Sequence, residues 1–501
     1  MSTAERPRGV SIAAFGMVYQ QALSFVSGLV IARVIGAADY GIFNLARNIL
    51  LVVGIYTRLG LDVGLQRFIG EAGQGTQEQE ARLTLSRYFR LATFAASLLP
   101  IAAVGLGLGD WVEATVYRYE GFSRVLLVTL LALPFLSDLA VLGGQLRGTL
   151  NPAPSVLAEY VVMPTVRLVA IVLLFALGYR LWAVVLGTSG ATVVAAVFLH
   201  RRALAAIPAA FSRLPGASPA SGEVGKVISY SLVIAAAMSV TTLTRTVDTF
   251  FLGRFCSARD LGEYSLSQMM LLLVGLFGSA LGQSLGGQIA HRYAQRDMQG
   301  MESLLAENVR WIALVSCPLF AVFYFWGADL AMVFGASYRI SAGVIRWLAA
   351  TSLVATLTAC AGFTLSMTGR QGLELRILLS GLVATLGFCW LGVPDWGQLG
   401  AACAVFSAIL LTNIARLWFV WREFRIFHLR LSLLGIFATA MLCGLASSVF
   451  AGGAGLERIL RAVAGSTASV IAYAFFAWFL LFTEAEKQAL RQRALQRISK
   501  S

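Results

Sequence analysis

Apolar runs of about twenty residues follow one another almost without interruption from Val10 to Leu481. A helix needs roughly 20 mostly apolar residues to cross the hydrocarbon of a bilayer, and there the peptide groups must find their partners within the segment. The succession therefore predicts an all-α polytopic membrane protein. Charged residues make up 13% of the chain and mean hydropathy is +0.76, against roughly 25% charged residues in soluble domains. A soluble fold is excluded.

Counting runs predicts about fourteen transmembrane helices. Six lie near 10–34, 43–69, 87–109, 122–146, 156–178 and 181–200. Six more lie near 226–252, 262–290, 307–330, 343–368, 374–393 and 397–420, and a C-terminal pair near 430–451 and 460–482. The first run follows Arg6 and Arg8 as a signal peptide would, but it is too long for an h-region and recurs later, so it is expected to be a retained span. The predicted organisation is an N-terminal lobe over 1–204, a linker over 205–225 carrying Pro208, Pro215 and Pro219, a C-terminal lobe over 226–425, and the last helix pair with a basic tail over 426–501.

The net charge of +14 is spread through short connections, with no basic domain, which argues for topology and against nucleic acid. Arg82, Arg87, Arg201, Arg202, Lys226, Arg292, Arg370, Arg422, Lys487 and Arg491 fall on one side, while Asp110, Glu113, Glu120 and Asp395 fall on the other. Basic loops stay inside, so both termini are expected in the cytoplasm of a bacterial inner membrane. The six cysteines show no metal-ligand spacing. His200, His291 and His428 fall in expected connections. No metal or cofactor is expected.

The chain repeats itself. Residues 32–43 read ARVIGAADYGIF and residues 253–264 read GRFCSARDLGEY, so that Arg33, Asp39, Gly41 and Phe43 align with Arg254, Asp260, Gly262 and Tyr264 at an offset of 221. LLVVG at 50–54 meets LLLVG at 271–275 at the same offset, and Tyr119 and Leu146 meet Tyr338 and Leu365 at 219. Six helices plus six, starting on the same side, predict two lobes related by an axis along the membrane normal. In such transporters substrate sits between the repeats and access alternates.

ARVIGAADYGIFNLA at 32–46 and FGASYRISAGVIRWLAA at 334–350 resemble the multidrug/oligosaccharidyl-lipid/polysaccharide exporter superfamily, and within it the polysaccharide-biosynthesis flippases. The resemblance covers essentially the whole chain. It implies an alternating-access flippase, not an enzyme, moving undecaprenyl-(pyro)phosphate-linked oligosaccharide from the cytoplasmic to the periplasmic leaflet. Membrane lipids, a polysaccharide polymerase and glycosyltransferases are the partners it suggests.

Charge inside a bilayer is costly and tends to mark function. On the second and seventh helices, Arg47, Arg58 and Arg245 are the candidate substrate-binding cations of the cavity that the resemblance implies. Asp62 and Asp248 are the candidate ion-coupling or pairing carboxylates. Arg58 and Asp62 stand four apart, and Arg245 and Asp248 three apart, so each pair is expected on one helical face. Arginine suits phosphate because its planar fork binds two oxygens at once. Against this stands the reading that both pairs merely staple helices together. Asp138, Arg167, Gln268 and Gln283 are weaker candidates. The glycines of GSALGQSLGG at 278–287 fit close helix packing better than a phosphate loop.

Two rival functions remain open. A drug or cation antiporter of the same superfamily would use Asp62 and Asp248 for coupling. A membrane polymerase or ligase would be expected to carry a large periplasmic loop, which the sequence lacks. No nucleotide-binding motif is present, so coupling to an ion gradient or to membrane potential is the expected energy source.

Overall fold

A computed structural model describes residues 6–211, 221–335, 337–450, 452 and 455–481, with side chains described from 19 onward and at Gly16, excepting 221–223, 276–277, 279–284 and 481. The basic tail at 487–500 and part of the 205–225 linker lie outside the described residues. Helix accounts for all the regular structure described.

Among the described residues, ten helices are long and apolar enough to cross a membrane. Two of them each hold two passes joined at a glycine. Residues 6–35 (α1) continue through Gly36, at φ 75°, into 37–58. Arg167 meets both Ser24 and Arg47, which a straight helix would hold about 35 Å apart, so the chain turns back at Gly36. Leu59 and Gly60, at φ 50° and 70°, then interrupt the second pass before it resumes over Leu61–Gly70; 37–70 is α2. Likewise 371–396 and 398–424 meet at Gly397, φ 52°. There Gly400 packs on the Gly392 carbonyl so tightly that a Cβ would sit 2.0 Å from its oxygen.

The remaining passes of the first part are α3 (Gln77–Tyr117), α4 (Phe122–Gly148), α5 (Ala153–Ala176) and α6 (Arg180–Ala206), then α7 (Ser221–Phe255) and α8 (Ala258–Ala294). After them come α9 (Met298–Leu330), α10 (Ala342–Met367), α11 (371–396), α12 (398–424), α13 (Ser432–Ser448) and α14 (Gly455–Phe476). Fourteen passes match the expected count. α3 begins ten residues earlier than expected because Thr76 caps it, its Oγ1 accepting the Gln79 N–H at 3.1 Å. Arg82 and Arg87 therefore lie within the helix, as does His200 on α6, and not in connections.

The chain forms two compact units, Met1–Ser265 and Leu266–Ser501. The core of the first joins Leu65 and Ile69 of α2, Leu83 of α3, Leu142 and Leu146 of α4 and Leu199 of α6. In the second, Leu285 and Ile289 of α8 pack with Leu305 and Val309 of α9, Leu365 of α10, Ile377 of α11 and Val420 of α12. Because lipid is as apolar as leucine, close approach at small residues must supply much of the adhesion. The C-terminal pair shows this: Gly444 of α13 lies on Phe325 and Gly465 of α14 on Trp326, both of α9. Trp326 Nε1 donates to Ser447 Oγ at 3.0 Å, and Arg458 pairs with Asp329 at 2.6 Å.

Candidate functional site

The two carboxylate–arginine pairs expected from spacing do not form. Arg58 ends the first part of α2 and Asp62 opens the second, so the left-handed residues Leu59 and Gly60 place them on different helical segments. The break lets α2 approach α7: a Cβ on Gly60 would fall 2.5 Å from the Ser231 carbonyl oxygen. Non-helical backbone at membrane depth is tolerated where protein covers it. Arg245 is exposed on α7 while Asp248 is buried, and no ion pair joins them among the described residues.

Asp248 is held otherwise. Tyr264 Oη of α8 donates to its Oδ2 at 2.7 Å, and the Thr249 N–H donates to its Oδ1 at 2.8 Å. At the repeat offset of 221, Asp248 falls on Ser27 and Tyr264 on Phe43. Ser27 is buried and donates to the Leu23 carbonyl of its own helix at 2.6 Å. The copy that carries a carboxylate thus also carries the hydroxyl that satisfies it.

Asp62 and Arg58 instead join a cluster with Arg147 of α4 and Glu159 of α5, whose charges all act on Glu159. Arg147 pairs with Glu159 at 3.7 Å and donates to Gln66 at 3.3 Å. Asp62 Oδ1 and Arg58 Nε are buried without hydrogen-bond partners. Glu159 lies in a π-turn, Ala158–Val162, a distortion that widens a helix by one residue and often marks a functional position. Gly144 permits the approach, since a Cβ there would lie 2.0 Å from the Asp62 carbonyl oxygen.

A second group is purely cationic. Arg167 of α5 is half-buried, donates to Ser24 Oγ of α1 at 3.3 Å, and lies within electrostatic reach of Arg47 and Tyr40 on α2. Arg47 is exposed. Neither arginine makes an ion pair among the described residues. Two like charges in a medium of low dielectric repel, so the arrangement favours an anion between or beside them.

Asp138 of α4 pairs with Arg90 of α3 at 3.3 Å. Gln268 is half-buried on α8 in the second unit, and the side chain of Gln283 lies outside the described residues. Sequence reasoning missed Arg90, Arg147, Glu159 and Tyr264. The first three were legible by the rule applied to the others, as charges within or beside apolar runs. Tyr264 offered no such signal.

A family model described as polysaccharide biosynthesis protein matches residues 7–285, and a MatE model matches residues 234–391. A relative described as "Probable low-salt glycan biosynthesis flippase Agl15", from Haloferax volcanii, is 20% identical over 404 residues and covers 79% of each chain. Among solved structures, the lipid II flippase MurJ in an inward closed conformation superposes with a TM-score of 0.72, at 10% identity, covering 94% of this chain and 99% of that one. An inward-facing multidrug resistance MATE transporter of the MOP superfamily gives 0.67, at 14% identity, covering 80% and 94%. These two likenesses establish the fold.

Proposed function

Since the chain belongs to the polysaccharide biosynthesis protein family, we propose that it is a flippase that carries undecaprenyl-(pyro)phosphate-linked oligosaccharide from the cytoplasmic to the periplasmic leaflet of a bacterial inner membrane. The observation that carries this reading is the Arg47–Arg167 pair, two cations without a carboxylate partner among the described residues. A pyrophosphate head group supplies the missing charge, and arginine offers it paired donors. The Haloferax relative's description as a glycan biosynthesis flippase supports the same direction. In this reading Arg47 and Arg167 engage the phosphates, and the Arg58–Asp62–Arg147–Glu159 cluster exchanges protons or cations as access alternates.

A second reading has its own support. The MatE match over 234–391 and the buried carboxylates Asp62 and Asp248 suit a cation-coupled multidrug antiporter, because intramembrane carboxylates mark ion pathways.

The test deletes the gene and asks on which leaflet lipid-linked oligosaccharide accumulates, then complements with wild type and Arg167→Ala. Cytoplasmic-leaflet accumulation that wild type relieves and Arg167→Ala does not is the expected result. Rescue by both proteins would remove the cationic pair from the mechanism. No accumulation, with altered drug tolerance, would favour the antiporter.

A further inference from the structure

Away from both clusters, three helices of the first unit line an open cavity of about 280 Å³. Its polar lining is Arg90 of α3, Asp138 of α4 and His200 of α6; Phe94, Phe135 and Val197 supply apolar walls. Arg90 is 6% exposed, its Nε faces Asp138 at 3.3 Å, and its Nη1 is buried without a hydrogen-bond partner. A buried unpaired donor in a native structure calls for an explanation such as a ligand or an ion.

The surroundings give the charge sign. The Arg90 guanidinium rests on the Phe211 ring at 4.4 Å, and that ring meets the His200 imidazole edge-on at 4.8 Å. Arg87, within electrostatic reach of Arg90, donates to the Phe211 carbonyl at 2.8 Å. Arg201 and Arg202 follow His200 on the exposed surface of α6. Asp138 neutralises one of these cations and leaves the locality basic.

The open side is apolar: Leu91 and Val197, both in the lining, are 51% and 45% exposed, on helices that cross the membrane. Such faces meet acyl chains. Basic pockets between transmembrane helices recognise anionic lipid head groups. A cavity of about 280 Å³ falls just below the range of ligand pockets, roughly 300–1,000 Å³; it suits one head group and not an oligosaccharide.

We propose that the Arg90–Asp138–His200 cavity binds the phosphate head group of an anionic phospholipid of the bulk bilayer, whose acyl chains lie along Leu91 and Val197. Arg90 and His200 contact the phosphate. Asp138 aligns Arg90 through its Nε and leaves the other end of the guanidinium for the ligand.

The test is native mass spectrometry of the full chain in mixed micelles that contain phosphatidylglycerol and phosphatidylcholine in equal amounts. Wild type should retain phosphatidylglycerol about tenfold over phosphatidylcholine, the scale expected of one to two basic contacts. The double variant Arg90→Gln/Asp138→Asn, which leaves no buried charge unpaired, should lose that preference while keeping its thermal midpoint in phosphatidylcholine alone. If the double variant does not fold, His200→Ala, at an exposed position, should lower the preference about threefold. Equal retention of the two lipids by wild type overturns the proposal, as does an unchanged preference in whichever variant folds. Competition arms use undecaprenyl phosphate and inorganic phosphate. Displacement of phosphatidylglycerol by an equimolar amount of either one would assign the cavity to that source and overturn the bulk-lipid assignment; retention against both supports it.

Discussion

Tyr264 donates its hydroxyl to Asp248 across 2.7 Å, joining α8 to α7 at a carboxylate that is 1% exposed. Tyr264→Phe should destabilise the folded chain by about 1–3 kcal/mol, because a buried carboxylate loses one of its donors. Restoring the first repeat's chemistry with Asp248→Ser/Tyr264→Phe should recover most of that loss. Thermal unfolding of the two single variants and the double variant in detergent measures the coupling. Additive losses would show that the hydrogen bond contributes nothing.

Gly41 and Gly262, the aligned glycines of the two repeat copies, pack backbone against backbone. A Cβ on Gly262 would fall 1.7 Å from the Ala37 carbonyl oxygen, and one on Gly41 would fall 2.2 Å from that of Ala258. Overpacking on this scale costs about 1–3 kcal/mol or more, so Gly262→Ala should lower the melting temperature and the yield of folded protein. Gly190→Ala on α6, where a Cβ meets nothing within 4 Å, should be neutral or stabilise by up to about 1 kcal/mol. Equal behaviour of the two variants in a thermal-shift assay would refute the packing argument.

The cationic pair predicts opposite signs for stability and transport. Arg167→Gln removes a repulsion with Arg47, so unfolding temperature should hold or rise while lipid-linked oligosaccharide transport falls at least tenfold, about 1.4 kcal/mol of lost interaction. Parallel loss of both would mean that Arg167 is a structural residue.

His428 lies between α12 and α13, with both ring nitrogens buried and without hydrogen-bond partners. Burial lowers its pKa from 6.5 to about 4. The folded pKa is depressed, so the folded chain binds this proton less readily than the unfolded chain. Its contribution to stability is full above pH 6.5 and falls as pH drops towards 4, by up to about 3 kcal/mol. His428→Phe should flatten that part of the pH–stability curve, measured by thermal unfolding between pH 4 and 8. An unchanged slope would mean that His428 titrates as an ordinary histidine.

Much of the architecture was legible because each apolar run carries its own instruction. Runs of sufficient length predicted the fourteen passes, and R–x5–D–x–G identified the repeat whose glycines meet in the fold. Capping was legible too: Thr76 and Gln79 stand at the spacing of a capping box, and they start α3 earlier than hydropathy alone suggested. The site was less legible. Spacing placed Arg58 and Asp62 on one helical face, and two left-handed residues between them undid that geometry.

What the sequence by itself determined is the class of molecule, the passes and the repeat, since these follow from local hydropathy and from a pattern compared with itself. Only the tertiary structure decided which charges meet. Asp138 finds Arg90, Glu159 finds Arg147, and Asp248 finds Tyr264, each on another helix. The physical reason is that a buried charge must be satisfied by whatever group helix rotation and close packing bring within hydrogen-bond reach. Gly60 and Gly144 set that packing here, through contacts with Ser231 and Asp62 that no spacing along the chain encodes.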